Sequence, residues 1–150
     1  ELGRMFSCIS LIGMLCAPLG GALADRYGRR GLAFRAGLLS ALAVGALPMC
    51  VGKRSFYVAM AAWDVGESMM TAASSALAAD VTPADQFGAQ SSLNNQVQDA
   101  TFVFMPLALG AMAASSTKRA LYVAAAMMAM GVGAFGVMTR PPPAADAAFG

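Results

Sequence analysis

One short stretch, residues 21–30, constrains this chain more than any other part of it. It reads G-A-L-A-D-R-Y-G-R-R and separates two long apolar runs. A connection of this length cannot cross a membrane or a domain, so the two runs must lie antiparallel and meet at this end. Gly28 allows the positive φ that a tight reversal needs. The stretch therefore predicts two antiparallel helices joined by a compact basic turn.

The composition indicates that these helices lie in a membrane. Of the 150 residues, 58% are hydrophobic and 12% are charged, and the mean hydropathy is +0.62. Soluble domains carry about 25% charged residues, so polar side chains are too few here to cover a water-facing surface. The net charge of +2 is small and its basic residues are scattered, which argues against a nucleic-acid partner. We expect a multi-pass integral membrane protein and leave the particular membrane open.

Hydropathy divides the chain into five candidate spans, because a transmembrane helix needs about 20 mostly apolar residues. These spans are residues 3–24, 32–51, 56–79, 88–114 and 120–139. They predict an all-α membrane protein with five transmembrane helices in a bundle over residues 1–140. Residues 141–150 are rich in proline and alanine and predict a disordered tail. Since the chain opens at Glu1 without a methionine, we expect it to be a piece of something longer.

The connection between the third and fourth spans contains Thr82-Pro83-Ala84-Asp85. Threonine is a good N-cap, proline is favoured in the first turn, and aspartate suits the positive end of a helix. This segment predicts the start of the fourth helix.

The turn at residues 21–30 resembles a motif of the major facilitator superfamily, G-x-L-A-D-R-x-G-R-R/K, found between the second and third helices of each six-helix half. Eight positions match: Gly21, Leu23, Ala24, Asp25, Arg26, Gly28, Arg29 and Arg30. The resemblance implies part of a six-helix half of a secondary transporter, with this turn in the cytoplasm. Charge alone leaves the orientation open, since five basic residues fall on each side.

Two features bear on which half of such a transporter this is. The second and fifth spans contain no acidic residue, as expected of the outer helix of each three-helix repeat. This register makes the spans helices 2–6 or helices 8–12. Three features resemble the C-terminal half of efflux-type members of the family and favour helices 8–12. They are Gln98-Asp99, the non-glycine residue Met105 before Pro106, and the proline-rich tail. The N-terminal half would then be a missing partner.

The resemblance implies a conformational latch at the turn. The residues assigned to it are Gly21, Asp25, Arg26, Gly28, Arg29, Arg30 and Asp80. Asp25 would cap a helix of the opposite half, and Arg29 would bridge to Asp80. Gly21 would let two helices approach closely. The alternative is that the arginines only anchor the turn to anionic headgroups, and for Arg30 we favour this alternative.

Three carboxylates lie well inside the spans: Asp64, Glu67 and Asp99. An ionisable group at mid-membrane costs about 2.5–3.5 kcal/mol on insertion scales, so it faces a cavity or a partner. Burial favours the protonated form of a carboxylate, which makes these residues candidates for a substrate or proton pathway. We hypothesise that Glu67 or Asp99 carries a proton or contacts a cationic solute. A hydrogen-bonded structural carboxylate is the alternative.

The remaining motifs argue against an enzyme or a cofactor. The chain has no histidine, and its cysteines (Cys8, Cys16, Cys50) have no metal-ligand spacing. Gly131, Gly133 and Gly136 match G-x-G-x-x-G, but no strand precedes them, so nucleotide binding is rejected. We expect no cofactor and no metal. The expected partners are a small solute and membrane lipid. A membrane sensor or scaffold of the same fold, or a truncated inactive product, are the rival interpretations.

Overall fold

The computed structural model describes residues 2–139 of the chain, and for residues 2 and 4–6 only the backbone. The disordered tail expected at 141–150 lies outside the described residues. The described part is helical, in the order α1 Leu2–Tyr27, α2 Arg29–Ala46, α3 Lys53–Val81, α4 Phe87–Ser115 and α5 Thr117–Met138. A short 3₁₀ turn, Leu47–Met49, extends α2.

Four of these helices are long and apolar enough to cross a membrane: α1 from Ser7, α2 with its 3₁₀ turn, α4 and α5. Helix α3 is longer than α2 but is not one of the four, because charged and hydroxyl side chains recur along it. Asp64, Glu67, Ser68 and Thr71 all lie in its middle. Five transmembrane helices therefore remain a prediction, while the four apolar helices have the length and composition of a multi-pass membrane protein.

The connections are short and each has a local cause. Gly28 alone separates α1 from α2, and the backbone reverses there. Pro48 lies in the 3₁₀ turn that ends the α2 segment. Ser116 separates α4 from α5, and its hydroxyl accepts a hydrogen bond from the Arg119 N–H, as an N-cap does.

The predicted start of the fourth helix at Thr82 is wrong. Thr82 is the C-cap of α3, and its hydroxyl donates a hydrogen bond to the Ala78 carbonyl at 2.7 Å. Helix α4 begins at Phe87 after a turn in which the Gln86 N–H donates to the Pro83 carbonyl at 2.9 Å. The threonine therefore binds a carbonyl of the preceding helix, which satisfies one of the groups left unpaired at a helix end.

Helices α1, α2, α3 and α5 pack together, with α2 in contact with the other three. Their packed core is made of small residues, with Ala24, Ala33 and Ala73 fully enclosed and Phe135 packed against them. Small side chains let backbones approach closely, which favours association where lipid removes the hydrophobic driving force. Helix α4 packs mainly against α5 and contains no buried residue among those described.

Candidate functional site

The basic turn brings the ends of several helices together through Gly28. Its φ of 87° and ψ of 123° lie outside the regions open to residues with a side chain. Because a single residue reverses the chain, Asp25 near the end of α1 lies close to Arg29 at the start of α2. The turn thus places an acid and a base from two helices in contact.

Arg29 is the centre of this arrangement. Its Nε and Nη2 donate to one Asp25 oxygen, at 3.1 and 2.9 Å. Its Nη1 donates to the Ala76 carbonyl at 3.0 Å and also to the Asp80 carboxylate. The guanidinium therefore joins the ends of α1, α2 and α3, and its side chain is only 31% exposed. The structure thus brings together the predicted pair Arg29 and Asp80.

Arg30 points to a different helix. Its Nε donates to the Thr139 hydroxyl at 3.0 Å, and its Nη2 donates to the Gly136 carbonyl at 2.9 Å. A cation that binds the last carbonyls of a helix also interacts favourably with the helix dipole. Headgroup anchoring was the favoured interpretation for Arg30, but these contacts give it a protein partner in α5.

The other predicted members of the latch contribute less. Arg26 lies over the ring of Tyr27, 5.8 Å from its centroid, and is exposed. Asp25 binds Arg29, and its expected role as a cap concerns a helix of the opposite half, so that role stays a prediction. At Gly21 an added Cβ would meet nothing within 4 Å among the described residues, and the close approach expected there stays a prediction. Gly20 makes such an approach, because a Cβ there would lie 3.1 Å from Met69 Cα.

Glu67 lines a cleft of about 400 Å³ between α1 and α3. Hydroxyl side chains of α3 line the same cleft, and the residues that line its α1 side are apolar. The lining includes Gly13, Ala17, Ser68, Thr71 and Ser75. A carboxylate beside several hydroxyls in an open cleft can accept a proton or bind a cationic group.

Asp64 lies one turn before Ser68 on the side of α3 that faces α1. A Cβ added to Gly13 would collide with the Asp64 carboxylate, so the two helices approach closely there. Asp64 Oδ2 is inaccessible to solvent and has no hydrogen-bond partner within the described residues. A carboxylate oxygen in this position is costly unless it is protonated or paired.

The structure does not bring Asp99 to these two acids. Asp99 lies in a stretch of α4 that is exposed throughout, residues 91–104, and no α4 residue lines the cleft at Glu67. Helices α3 and α4 share a different, polar cleft near their connection, which Ser75 and Gln90 help to line. The acids are therefore grouped as a pair on α3 and a single exposed carboxylate on α4.

The close packing of α2 on α3 at Ser40 and Gly66 was missed from the sequence. Ser40 is fully buried, and its hydroxyl donates to the Trp63 carbonyl at 3.4 Å. A Cβ added to Gly66 would lie 2.5 Å from Ser40 Oγ and 2.8 Å from the Ala36 carbonyl. Small residues at spacings of three and four along α2 were the available signal for this contact.

Comparison with known proteins gives one match. A family model described as Major Facilitator Superfamily matches residues 1–149, nearly the whole chain. The searches of curated proteins and of solved structures found no match.

Proposed function

The chain belongs to the major facilitator superfamily, and we propose that it forms part of a secondary transporter that moves a small solute by alternating access. In this proposal the chain contributes helices 8–12, and a complementary N-terminal half completes the central cavity. The family match carries the proposal, because it covers nearly the whole chain and not the turn alone.

The charges inside the helices favour a proton or a cationic solute. Helix α4 contains no lysine or arginine, and α3 contains none after Arg54. Asp64, Glu67 and Asp99 are therefore acidic groups with no basic residue nearby on their own helices. Negative groups of this kind inside a membrane mark the paths of ions and protons. We propose that Glu67, which lines the cleft with Ser68 and Thr71, binds the proton or the cation, and that Asp99 contributes from α4.

The hydrogen bonds of Arg29 support a latch role for the turn. They join α1, α2 and α3 at one end of the bundle, through two carboxylates and a backbone carbonyl. Alternating access requires each end of the bundle to open in one state and close in the other. We propose that these bonds hold the three helix ends together in one state and rearrange in the other.

Flux through reconstituted vesicles tests the proposal. The chain is incorporated into liposomes together with its N-terminal half, as the full-length transporter. A pH gradient is imposed, and uptake of ethidium, an organic cation, is followed together with internal pH. We expect uptake that depends on the gradient. Glu67→Gln and Asp99→Asn should flatten the dependence on pH, while Asp85→Asn, in the exposed connection, should leave it unchanged.

Two outcomes would count against the proposal. Absence of any flux of protons or ethidium from a folded, membrane-inserted protein would favour the sensor or scaffold interpretation. Transport with an unaltered pH profile in both acid variants would remove the proton-coupling part and leave transport itself standing.

A further inference from the structure

An apolar groove runs between α2 and α3 at the end of the bundle opposite Gly28. It encloses about 640 Å³. Residues of both helices line it at intervals of three and four, which is the spacing of one helix face. The α2 wall includes Leu39, Leu42, Ala46 and Met49, and the α3 wall runs from Arg54 to Ala62.

The groove has a tight floor and open walls. Ala43 and Ala59 form the floor and are 7% and 8% exposed, so the backbones are close beneath it. Leu42 and Val58 form the rims and are 72% and 70% exposed. From Leu39 in α2 to Met49 in the 3₁₀ turn the groove spans eleven residues, which is about 15 Å for ten steps of about 1.5 Å. A narrow apolar channel of this length fits a hydrocarbon chain.

One charged side chain lines the groove, and it lies at its end. Arg54 is in the first turn of α3, and its side chain forms no ion pair or hydrogen bond within residues 2–139. At this end of the bundle, residues 47–56 and 113–120 contain Lys53, Lys118 and Arg119 but no acid, and the start of the chain adds one acid, Glu1, and one base, Arg4. The positive end of the α3 dipole adds to this field. This end of the groove therefore favours a negative group.

We propose that this groove binds an anionic phospholipid, with one acyl chain lying between Leu42 and Val58 and the phosphate held by the Arg54 guanidinium. The apolar part alone would accept any lipid tail. Arg54 adds a preference for an anionic headgroup, and its place at the helix end puts the phosphate at the membrane surface. The lipid lies in the leaflet opposite the basic turn. This site is separate from the cleft at Glu67, since the two share no lining residue.

Lipid binding to the purified protein in detergent tests this assignment by native mass spectrometry. The probes are phosphatidylglycerol, phosphatidylcholine with the same acyl chains, and glycerol 3-phosphate as a headgroup without a chain. We expect phosphatidylglycerol to bind more tightly than phosphatidylcholine. Arg54→Gln should weaken phosphatidylglycerol binding about five-fold and phosphatidylcholine binding less, because both headgroups carry the phosphate but only phosphatidylglycerol has a net negative charge. Arg54→Lys should retain the preference for phosphatidylglycerol.

Two further variants separate this site from a general charge effect. Val58→Trp fills the groove from an exposed rim and should weaken both phospholipids. Arg119→Gln removes a cation that lies at the same end of the bundle but does not line the groove, and it should change the binding of neither phospholipid. The assignment would be overturned if Arg54→Gln bound phosphatidylglycerol as tightly as the wild type does, or if Arg119→Gln lost as much phosphatidylglycerol affinity as Arg54→Gln. It would also be overturned if glycerol 3-phosphate competed as strongly as the phospholipid. None of these readouts depends on transport.

Discussion

Arg29 and Arg30 are neighbours in the chain, yet their guanidinium groups bind different helices. Arg29 binds Asp25 in α1 and both Ala76 and Asp80 in α3, whereas Arg30 binds Gly136 and Thr139 at the end of α5. Successive residues at the start of a helix point in directions about 100° apart, so a pair of arginines there can reach two neighbours at once. The start of α2 is thereby attached to three other helices at one end of the bundle.

The first prediction concerns Arg29. Arg29→Ala removes its contacts to α1 and α3 and should lower gradient-driven ethidium uptake about ten-fold, as expected for a contact that couples conformational states. Thermal unfolding in detergent should change little, because exposed ion pairs contribute little to stability and Asp25 is 63% exposed. Arg35→Ala, which removes an exposed arginine of α2 outside the latch, is the matched control. Uptake at the wild-type rate in Arg29→Ala would exclude the latch role.

The second prediction concerns Arg30. Arg30→Ala should speed amide hydrogen exchange at residues 135–138 roughly ten-fold, because the last turn of α5 loses two hydrogen bonds from a charged donor. Exchange in the middle of α3 should stay the same. Arg35→Ala, an exposed arginine two turns into α2, is the control and should leave α5 unchanged. An unchanged α5 in Arg30→Ala would show that these bonds do not hold the helix end.

The third prediction concerns the packing of α2 on α3. Gly66→Ala should destabilise the protein by about 1–3 kcal/mol, because the new Cβ would overlap Ser40 Oγ and the Ala36 carbonyl. Gly110→Ala is the control, since a Cβ there meets nothing within 4 Å and alanine favours a helix. The measurement is equilibrium unfolding in detergent. Equal stability of the two variants would mean that α2 and α3 can move apart at Gly66 without a loss of unfolding free energy.

The fourth prediction concerns Asp64. Asp64→Asn should raise the free energy of unfolding by about 1–3 kcal/mol, because it removes the charge from a carboxylate whose Oδ2 is enclosed and unpaired. Asp85→Asn changes an exposed acid in the connection and should have no effect on thermal unfolding. A lower stability for Asp64→Asn would indicate that the carboxylate has a partner outside the described residues.

Sequence reasoning reached the family and the membrane setting, and the family match confirmed both. Motif residues 21–30 and long apolar runs are local signals, so they can be read without a structure. The apolar run of the fourth helix, residues 88–114, was located from the sequence, but the start assigned to Thr82 was wrong, because Thr82-Pro83 supports both a helix end and a helix start. Hydropathy also located α3, but its charged and hydroxyl residues exclude it from the four helices that are apolar enough to cross a membrane.

The contacts between distant segments were not predictable in this way. Arg30 binds residues more than 100 positions away in the sequence, and no local sequence pattern predicts such a contact. Gly20 and Gly21 are adjacent and chemically identical, so only the rotation of α1 against α3 decides which one meets Met69. The position of Glu67 and Asp99 near the middle of their spans follows from counting residues along the sequence. The distance between the two residues depends on how α4 packs against the other helices, which the sequence does not reveal.

The backbone at Gly28 has a consequence for how this position tolerates change in evolution. Its surroundings are open, with no atom within 4 Å of an added Cβ, so side-chain volume is not what limits it. What limits this position is its combination of φ and ψ, which glycine adopts without strain because it has no side chain. The ψ of 123° also lies outside the left-handed helical region, where asparagine can replace glycine. Almost any missense change in this codon therefore strains the reversal equally, whatever the size or polarity of the residue it introduces.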